Sequence, residues 1–327
     1  MEEFFKNLAA AQRVGCLEDL LAYPKYLQIE TSSACNARCV MCPIDDWTRA
    51  EQLMSDEVFG KIVDDLRPHV DWIEMITLQA AGEPLIDKKL EQRIAALKGI
   101  GVRKVVISCN GSLLTAERAA ALIASGIDEI TFSFDGATKE TYEAIRRRLS
   151  YDAVVSNIKQ FLRLRDEAGA PIRVRLRMTV FDKNIGEFNK FLSFWNSLLR
   201  GDDRAYGKIY SSYNYIENYE LPLCQVKERK LMNSSPCSSL WTSFVIFTDG
   251  RVSLCCGDYN AVELMGDVRL SSIEEIWRGE PFTRARAAHA AQGRNGMPRC
   301  VDCNIWYDTT RMETPLPDSV KSLEQLG

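Results

Sequence analysis

Short apolar segments alternate with amphipathic segments from Tyr26 to about residue 200. Segments such as YLQIET, RKVVIS and EITFSF have the length and composition of buried strands, and SDEVFGKIVDDL has the periodicity of a helix. A chain that alternates strands and helices forms right-handed βαβ crossovers around a parallel sheet. About six such units fit into this stretch, which is too few for a closed eight-unit barrel. The sequence therefore predicts an α/β fold built on a partial (β/α)6 barrel.

The same pattern divides the chain into five predicted segments. Residues 1–24 form an N-terminal helix, and residues 25–202 form the partial barrel. Residues 203–236 are polar and aromatic, and we expect a linker there that faces the substrate. Residues 237–308 contain five of the eleven cysteines and an Asp-Gly hairpin signal, which predicts a small C-terminal α+β module. Residues 309–327 form a polar tail.

The composition excludes several classes of function. The formal net charge of -4 and the pI near 5.5 argue against nucleic acid as a partner. No apolar run reaches the length of a membrane span, and the N-terminus lacks the basic-then-apolar order of a secretory signal. We therefore expect a cytoplasmic protein without a membrane partner. Because thiols stay reduced in that compartment, the eleven cysteines indicate metal binding rather than disulfides.

Three of these cysteines, Cys35, Cys39 and Cys42, follow the first predicted strand. Reactive groups in parallel α/β folds collect at the carboxyl ends of the strands, so this loop is a candidate site. With only two histidines in the chain, a histidine-rich metal site is excluded. A structural zinc ion needs four ligands, whereas a four-iron cluster on three thiolates leaves one iron for an outside ligand. The cluster accounts better for three thiols, and zinc stays open as an alternative.

The CxxxCxxC spacing after a first strand resembles that of the radical S-adenosylmethionine superfamily. The resemblance implies that the three cysteines hold a [4Fe-4S] cluster and that S-adenosylmethionine binds its fourth iron through amino and carboxylate groups. It also implies reductive cleavage of this cofactor to a 5′-deoxyadenosyl radical, which abstracts hydrogen from an unactivated C–H bond. A flavodoxin- or ferredoxin-type reductant is the implied protein partner.

Three further segments, QAAGEPL, SCNGSLL and SFDGATKETYEAIR, resemble superfamily motifs in the same order along the chain. Taken alone, each is weak, because GEP often forms a turn and a Ser or Asp at a strand end is often a helix cap. Together with the cysteine loop they span residues 26–178. The resemblance implies that Gly82 and Glu83 meet the methionyl amino group. It also implies that other residues lie near the cofactor, its ribose or its carboxylate, namely Asn110, Ser133, Asp135 and Arg146.

A second set of cysteines consists of Cys237, Cys255, Cys300 and Cys303, separated by 18, 45 and 3 positions. A four-thiolate zinc site is one interpretation of this set. The pattern also resembles the short twitch module of SPASM-type radical enzymes, and its separations resemble those of 2-deoxy-scyllo-inosamine dehydrogenases and related aminoglycoside-modifying enzymes. This resemblance implies one auxiliary [4Fe-4S] cluster, and therefore two clusters in all. The longer SPASM form needs cysteines that are absent here.

Four cysteines have no predicted metal role. Cys16 is expected to be a small buried residue. Cys256 adjoins Cys255, and it is an alternative ligand at that position. Cys109, Cys224 and Cys256 are candidate hydrogen donors to a product radical, as the resemblance to sugar and peptide epimerases of the superfamily implies.

The predicted function is oxidation of a small hydroxylated substrate, such as a sugar or an aminocyclitol. The radical abstracts a carbinol hydrogen, and the auxiliary cluster accepts an electron as a ketone forms. One alternative is redox-neutral epimerisation of a similar substrate, with a cysteine returning the hydrogen. Peptide modification is a second alternative. A zinc-bound interaction module is a third, and it leaves the GEP and SFDG segments unexplained.

Overall fold

The computed structural model describes residues 2–209, 234–301, 303, 311–312 and 314–317. Its strands, in chain order, are β1 (Tyr26–Ile29), β2 (Arg38–Cys39), β3 (Met75–Thr77), β4 (Val105–Cys109), β5 (Glu129–Ser133), β6 (Arg146–Arg147), β7 (Arg173–Val180), β8 (Arg204–Ile209), β9 (Ser243–Ile246), β10 (Arg251–Ser253), β11 (Leu264–Asp267) and β12 (Arg311–Met312).

The α-helices, in the same order, are α1 (Glu2–Ala11), α2 (Asp56–Leu66), α3 (Leu90–Gly99), α4 (Ala116–Ala124), α5 (Lys139–Ile145), α6 (Tyr151–Glu167), α7 (Phe188–Asn196), α8 (Ser239–Thr242), α9 (Ile273–Arg278) and α10 (Glu280–Gln292). Within the described ranges, none of them is long and apolar enough to cross a membrane.

Six neighbouring strands of the main sheet, β1, β3, β4, β5, β7 and β8, pair in parallel, and at least one helix follows each of the first five. The sheet is open, because among the described residues β8 pairs with β12 and β1 pairs with β9. This architecture confirms the predicted partial (β/α)6 barrel. The sixth strand starts at Arg204, so the barrel sheet extends into the segment predicted as a linker. Residues 210–233 of that segment lie outside the described ranges.

Alternating side chains on β7 give the barrel a polar interior. Val174, Leu176, Met178 and Val180 are fully buried, and the intervening residues are three arginines and Thr179, which are all half-buried. Successive residues of a strand point to opposite faces, so the apolar set packs on one face of the sheet and the polar set lies on the other. Two of the polar residues, Arg177 and Thr179, line a cleft at the carboxyl end of the barrel.

The C-terminal module continues the sheet of the barrel. Its hairpin of β9 and β10 turns at Asp249 and Gly250, whose φ of 88° is the left-handed conformation that glycine adopts readily. Strand β9 pairs in parallel with β1, with Leu27 opposite Phe244. The module therefore lies directly beside the strand that leads into the three-cysteine loop.

Candidate active site

The three-cysteine loop follows the carboxyl end of β1 and is held in place by the pairing of β2 with β6. Strand β2 pairs antiparallel with β6, with Cys39 opposite Arg146. The Val40 N–H donates to the Ile145 carbonyl at 3.0 Å, and the Cys42 N–H donates to the Cys39 carbonyl at 3.0 Å. These bonds turn the loop so that all three predicted ligand thiols line one cleft.

The three thiols are crowded and poorly hydrated. Burial, together with neighbouring cysteines of the set, raises the pKa of Cys35 to about 11 and that of Cys42 to about 12. Burial also raises the pKa of Cys39, although the charge of Arg146 and its hydrogen bond to the thiol act in the opposite direction. Thiolates in this position need a cation to compensate them, and an iron–sulfur cluster supplies it. The donor set therefore fits a cluster.

No three Cys, His, Asp or Glu side chains converge on a single-ion position in the described part of the chain.

Gly82 lies against the backbone of the cysteine loop. A Cβ atom at this position would lie 2.2 Å from the Ser32 carbonyl oxygen and 2.8 Å from that of Ala34. The adjacent Glu83 N–H donates to the Ala34 carbonyl at 2.9 Å. The segment after β3 therefore supports the loop directly, and only glycine fits at its point of closest approach.

The carboxylate of Glu83 is buried, and it connects the ends of two strands. One oxygen accepts the Leu85 N–H at 3.1 Å, and the other accepts the Asn110 N–H at 2.8 Å. Burial raises the pKa of Glu83 to about 7, against the effect of these hydrogen bonds and of the Arg146 and Arg118 charges. A carboxylate with this much desolvation is stabilised when a cationic ligand group binds beside it.

Asn110 belongs to a polar network that reaches back to the cysteine loop. Its Nδ2 donates to Asn36 Oδ1 at 2.9 Å, and its Oδ1 accepts the Ser112 hydroxyl at 2.7 Å. Asn36, which directly follows Cys35, donates in turn to Ser112 Oγ at 2.8 Å. The network fixes the position of the Asn110 side chain at the edge of the cleft.

Arg146 and Asp135 form a buried ion pair behind the cleft. Arg146 Nε donates to Asp135 Oδ2 at 2.6 Å, and Asp135 Oδ1 accepts the Thr179 N–H at 2.7 Å. Arg146 lines the cleft, whereas Asp135 is not among the lining residues and is fully buried. The structure therefore gives Asp135 the geometry of a residue that orients Arg146.

The structure brings most of the predicted cofactor residues together around one cleft of about 220 Å³. The lining residues include Gly82, Glu83, Asn110, Ser133 and Arg146, together with Cys109.

Arg177 and Lys208 also line the cleft, and sequence reasoning missed both. Arg177 lies opposite Ser133 in the sheet and donates from Nη2 to the Ser133 hydroxyl at 2.7 Å. The alternation of arginine with apolar residues in RVRLRMTV was a signal for interior-facing arginines. The sequence carried no comparable signal for Lys208, because the segment that forms its strand was predicted to be a linker.

The second set of thiols also gathers in one place. Burial, together with the charges of Cys237 and Cys303, raises the pKa of Cys300 to about 12. Burial raises the pKa of Cys255 well above its usual value, with contributions from Cys237 and Cys300. The four predicted ligands are therefore close enough to interact electrostatically, as the ligands of one cluster must be.

Cys256 lies in the same group of thiols. Cys256 is exposed to solvent in the described structure, but the atoms crowded around its sulfur and the charges of Cys237 and Cys303 raise its pKa to about 11, whereas the nearby Lys208 ammonium lowers it. Lys208 also lines the cleft, so it interacts with Cys256 and borders the first site.

The remaining cysteines differ in position. Cys109 is buried at the end of β4 and lines the cleft. Cys16 is exposed, so the expectation that it is buried was wrong. Cys16 precedes a short 3-10 helix, Leu17–Leu21, and it is Leu20 of that helix that is buried in the core. The candidate hydrogen donor Cys224 lies outside the described residues.

Arg49 forms a buried ion pair with Glu30 and also joins the cysteine loop to the C-terminal module. Arg49 donates from both terminal nitrogens to the Glu30 carboxylate, at 2.6 and 2.9 Å, and from Nε to the Tyr259 carbonyl at 2.5 Å. The guanidinium also lies 3.8 Å from the centre of the Phe247 ring. Loop and module are therefore held in a fixed relation on this side.

Two protein families match the chain. The radical SAM superfamily matches residues 29–194, and the SPASM iron–sulfur cluster-binding domain matches residues 237–304. The first range contains the three-cysteine loop and the other barrel motifs, and the second contains the auxiliary cysteine set.

Curated relatives match part of the chain. A tungsten-containing aldehyde ferredoxin oxidoreductase cofactor-modifying protein of Pyrococcus furiosus is 31% identical over 145 residues, which are 44% of this chain and 40% of that protein. A probable GTP 3',8-cyclase of Methanothermobacter thermautotrophicus is 33% identical over 135 residues, 40% of this chain and 42% of that protein. This chain thus spans about two fifths of the length of these relatives.

Solved structures share the fold over more of the chain. BtrN in complex with AdoMet and 2-DOIA has a TM-score of 0.58 at 18% identity and covers 89% of this chain and 97% of its own. Streptococcus suis SuiB bound to precursor peptide SuiA has a TM-score of 0.63 at 14% identity, and the match covers 85% of this chain and 69% of the SuiB chain. The anSMEcpe structure with bound AdoMet has a TM-score of 0.62 at 15% identity, covering 89% of each chain.

These matches confirm the predicted superfamily and the SPASM-type module. They also confirm S-adenosylmethionine and iron–sulfur clusters as the cofactors, because the first domain implies a [4Fe-4S] cluster with S-adenosylmethionine and the second implies additional clusters. A zinc-bound interaction module fits neither match. Because the superfamily match covers more than half of its 327 residues, this chain belongs to the radical S-adenosylmethionine superfamily.

Proposed function

We propose that this protein oxidises a carbinol carbon of a small sugar or aminocyclitol to a ketone. The observation that carries the proposal is the position of Lys208. This residue lines the cleft beside the first cysteine set, and its ammonium acts on Cys256, which adjoins Cys255 of the second set. A cluster held by the second set is therefore close to the cleft, as an electron acceptor for a substrate radical needs to be.

The proposed roles follow the cysteine sets and the cleft. Cys35, Cys39 and Cys42 hold the first cluster, and Cys237, Cys255, Cys300 and Cys303 hold the auxiliary one. The cleft residues Gly82, Glu83, Asn110, Ser133 and Arg146 bind S-adenosylmethionine, and Asp135 orients Arg146. When bound, the first cluster and S-adenosylmethionine supply a 5′-deoxyadenosyl radical, and the auxiliary cluster supplies an electron acceptor.

The oxidation balances in atoms and electrons. The carbinol carbon loses a hydrogen atom and then one electron, for which a cluster held by Cys237, Cys255, Cys300 and Cys303 would be the acceptor, while S-adenosylmethionine would end as 5′-deoxyadenosine and methionine. The hydroxyl loses its proton, and the C–O single bond becomes a carbonyl. Arg177 and Lys208 line the cleft, and their charges would lower the pKa of a hydroxyl bound beside them, so that its proton leaves to water. A flavodoxin- or ferredoxin-type protein supplies the electron for the first cluster.

The likeness to BtrN supports a small-molecule substrate. The BtrN structure contains AdoMet and 2-DOIA, and 97% of that chain has a counterpart here. SuiB was solved with a precursor peptide, and only 69% of its chain has a counterpart. Coverage does not separate the two substrate classes, because 91% of the anSMEcpe chain solved with the Cp18Cys peptide also has a counterpart here, and peptide modification stays an alternative.

One observation favours redox-neutral epimerisation as a second candidate function. Cys109 lines the cleft directly, and Cys256 lies beside the cleft residue Lys208. A thiol in either position has access to a substrate radical and is able to return a hydrogen atom to it.

Mass spectrometry in deuterated water separates the two functions. The reconstituted protein is incubated anaerobically with S-adenosylmethionine, a reductant and a panel of sugars and aminocyclitols. Oxidation predicts a product that is lighter by two hydrogens and is unchanged in Cys109→Ala, Cys224→Ala and Cys256→Ala variants. Deuterium on a substrate carbon, lost in one of these variants, would establish epimerisation and overturn the oxidation.

A further inference from the structure

Arg294 is a buried cation placed against the second cysteine set. Helix α10 ends at Gln292, and the next residue, Gly293, has a φ of 63° that turns the chain back, so that Arg294 faces the segment before Cys237. The turn is tight, because a Cβ on Gly296 would lie 2.4 Å from the Ala288 carbonyl oxygen. The Arg294 side chain is 3% exposed, and it donates from Nη1 to the Ser235 carbonyl at 2.8 Å.

The guanidinium of Arg294 contacts a predicted cluster ligand. It donates a hydrogen bond to the Cys237 sulfur, and it interacts electrostatically with Cys300 and Cys303. Helix α10 also contacts Cys237, because the Cys237 backbone N–H donates to Nδ1 of His289 in that helix at 3.1 Å. Arg294 thus acts on three of the four thiols proposed to hold the auxiliary cluster.

A charge in this position changes how readily such a cluster accepts an electron. A cluster on four thiolates becomes more negative by one charge on reduction, and hydrogen bonds to its sulfurs and nearby charges set its potential. A buried cation stabilises the reduced form more than an exposed one, because water screens it less.

We propose that Arg294 raises the reduction potential of the auxiliary cluster and so makes it competent to accept the electron of the substrate radical. The proposal rests on the proposed oxidation and deepens it. Arg294 is a positioning residue, since it acts on the reaction only through the cluster.

The test is a potentiometric titration of the reconstituted full chain, followed by electron paramagnetic resonance. In Arg294→Gln, we expect the equilibrium constant for reducing the auxiliary cluster to fall at least tenfold, which is about 59 mV for one electron. Arg294→Lys keeps the charge and should keep most of the potential. The matched control is Arg284→Gln in α10. The Arg284 side chain is 67% exposed and pairs with Glu280, so this change should leave the potential unchanged.

The outcomes separate this proposal from the proposed function. An unchanged potential in a cluster-loaded Arg294→Gln protein overturns the role of Arg294, even if the enzyme still forms a ketone. A lowered potential with a redox-neutral product overturns the oxidation and leaves the role of Arg294 standing.

A second measurement applies if Arg294→Gln loses the auxiliary iron. The potential of Arg294→Lys should then fall as pH rises through the lysine pKa, while that of the wild type stays flat because arginine keeps its proton. A pH-independent potential in the loaded lysine variant would overturn the proposal.

Discussion

Arg146 is bound to Asp135 through its side chain at 2.6 Å and to Cys39 through its backbone pairing in the β2–β6 ribbon. Both charged side chains of this pair are almost fully buried. One residue therefore couples an electrostatic contact in the core to the position of a predicted cluster ligand.

Arg146→Met should destabilise the protein by about 3–5 kcal/mol, because it leaves the Asp135 carboxylate buried without its cation. Chemical denaturation measures the loss. The double variant with Asp135→Asn should recover part of it, since no charge then remains buried. Arg163→Met is the control: its pair with Glu167 is exposed, so the change should cost about 0.5 kcal/mol or less. Equal costs at both arginines would contradict the buried-pair interpretation.

Gly82→Ala should displace the cysteine loop, because its Cβ would overlap the Ser32 carbonyl. We expect loss of the first cluster with retention of the auxiliary iron, measured as iron per chain and by the spectra of the two clusters. Gly60→Ala offers a matched control within α2, where nothing lies within 4 Å of an added Cβ. That substitution should stabilise the protein by about 0.5–1 kcal/mol. A fully loaded Gly82→Ala protein would refute the close approach.

Glu83→Gln should weaken S-adenosylmethionine binding by roughly ten- to a hundredfold, because a charge-assisted hydrogen bond contributes about 1.5–3 kcal/mol. Equilibrium dialysis of the cluster-loaded protein measures the affinity. Asp152→Asn, an exposed carboxylate that pairs with Lys139, is a suitable control and should bind normally. Unchanged affinity in Glu83→Gln would remove this carboxylate from the site.

The affinity of the wild type should also depend on pH. The pKa of the free Glu83 carboxyl is raised to about 7, and a cationic ligand group favours its ionised form. Binding therefore releases a proton below pH 7, so affinity should increase as pH rises to about 7 and level off above it. Glu83→Gln should show a smaller rise between pH 5.5 and 8, because only the ligand's own amino group, which loses its proton to bind iron, still titrates there. A rise of equal size in the variant would assign the titration to another group.

Replacing Cys35, Cys39 and Cys42 by Ala should abolish formation of 5′-deoxyadenosine and leave the auxiliary iron in place. Iron analysis together with chromatography of the products tests both parts. The complementary variant, with Cys300 and Cys303 replaced, should lose the auxiliary iron and still form 5′-deoxyadenosine. Reductive cleavage by the first variant would show that the three-cysteine loop is not the site.

The sequence predicted the barrel and the cysteine ligands because both leave local signals. Strand and helix periodicity identifies βα units, and metal ligands recur at fixed spacing on a short loop. The positions of Arg177, Lys208 and Arg294 depended on tertiary pairing instead. Arg177 reaches the cleft only because β7 lies beside β5, and Arg294 reaches Cys237 across 57 positions of sequence. Periodicity does not encode such distances.

Helix prediction fails at residues 146–148, which have the sequence RRR. The pattern TKETYEAIRRR predicts a helix to residue 148, whereas α5 ends at Ile145 and Arg146 enters β6. Arg148 adopts a φ of 72°, so the chain leaves helical geometry there. The ion pair with Asp135 and the pairing with Cys39 outweigh the helical propensity of the arginines, which is a weak preference.

The pairing of β9 with β1 bears on how this architecture can be divided. Excising the auxiliary module would leave β1 as an open edge, with unpaired backbone groups that invite another chain to add to the sheet. It would also remove the contacts that the Arg49 guanidinium makes with Phe247 and Tyr259. Barrel and module therefore form one unit of folding, and a chimaera that exchanges the module must carry a matching β1 and Arg49 loop with it.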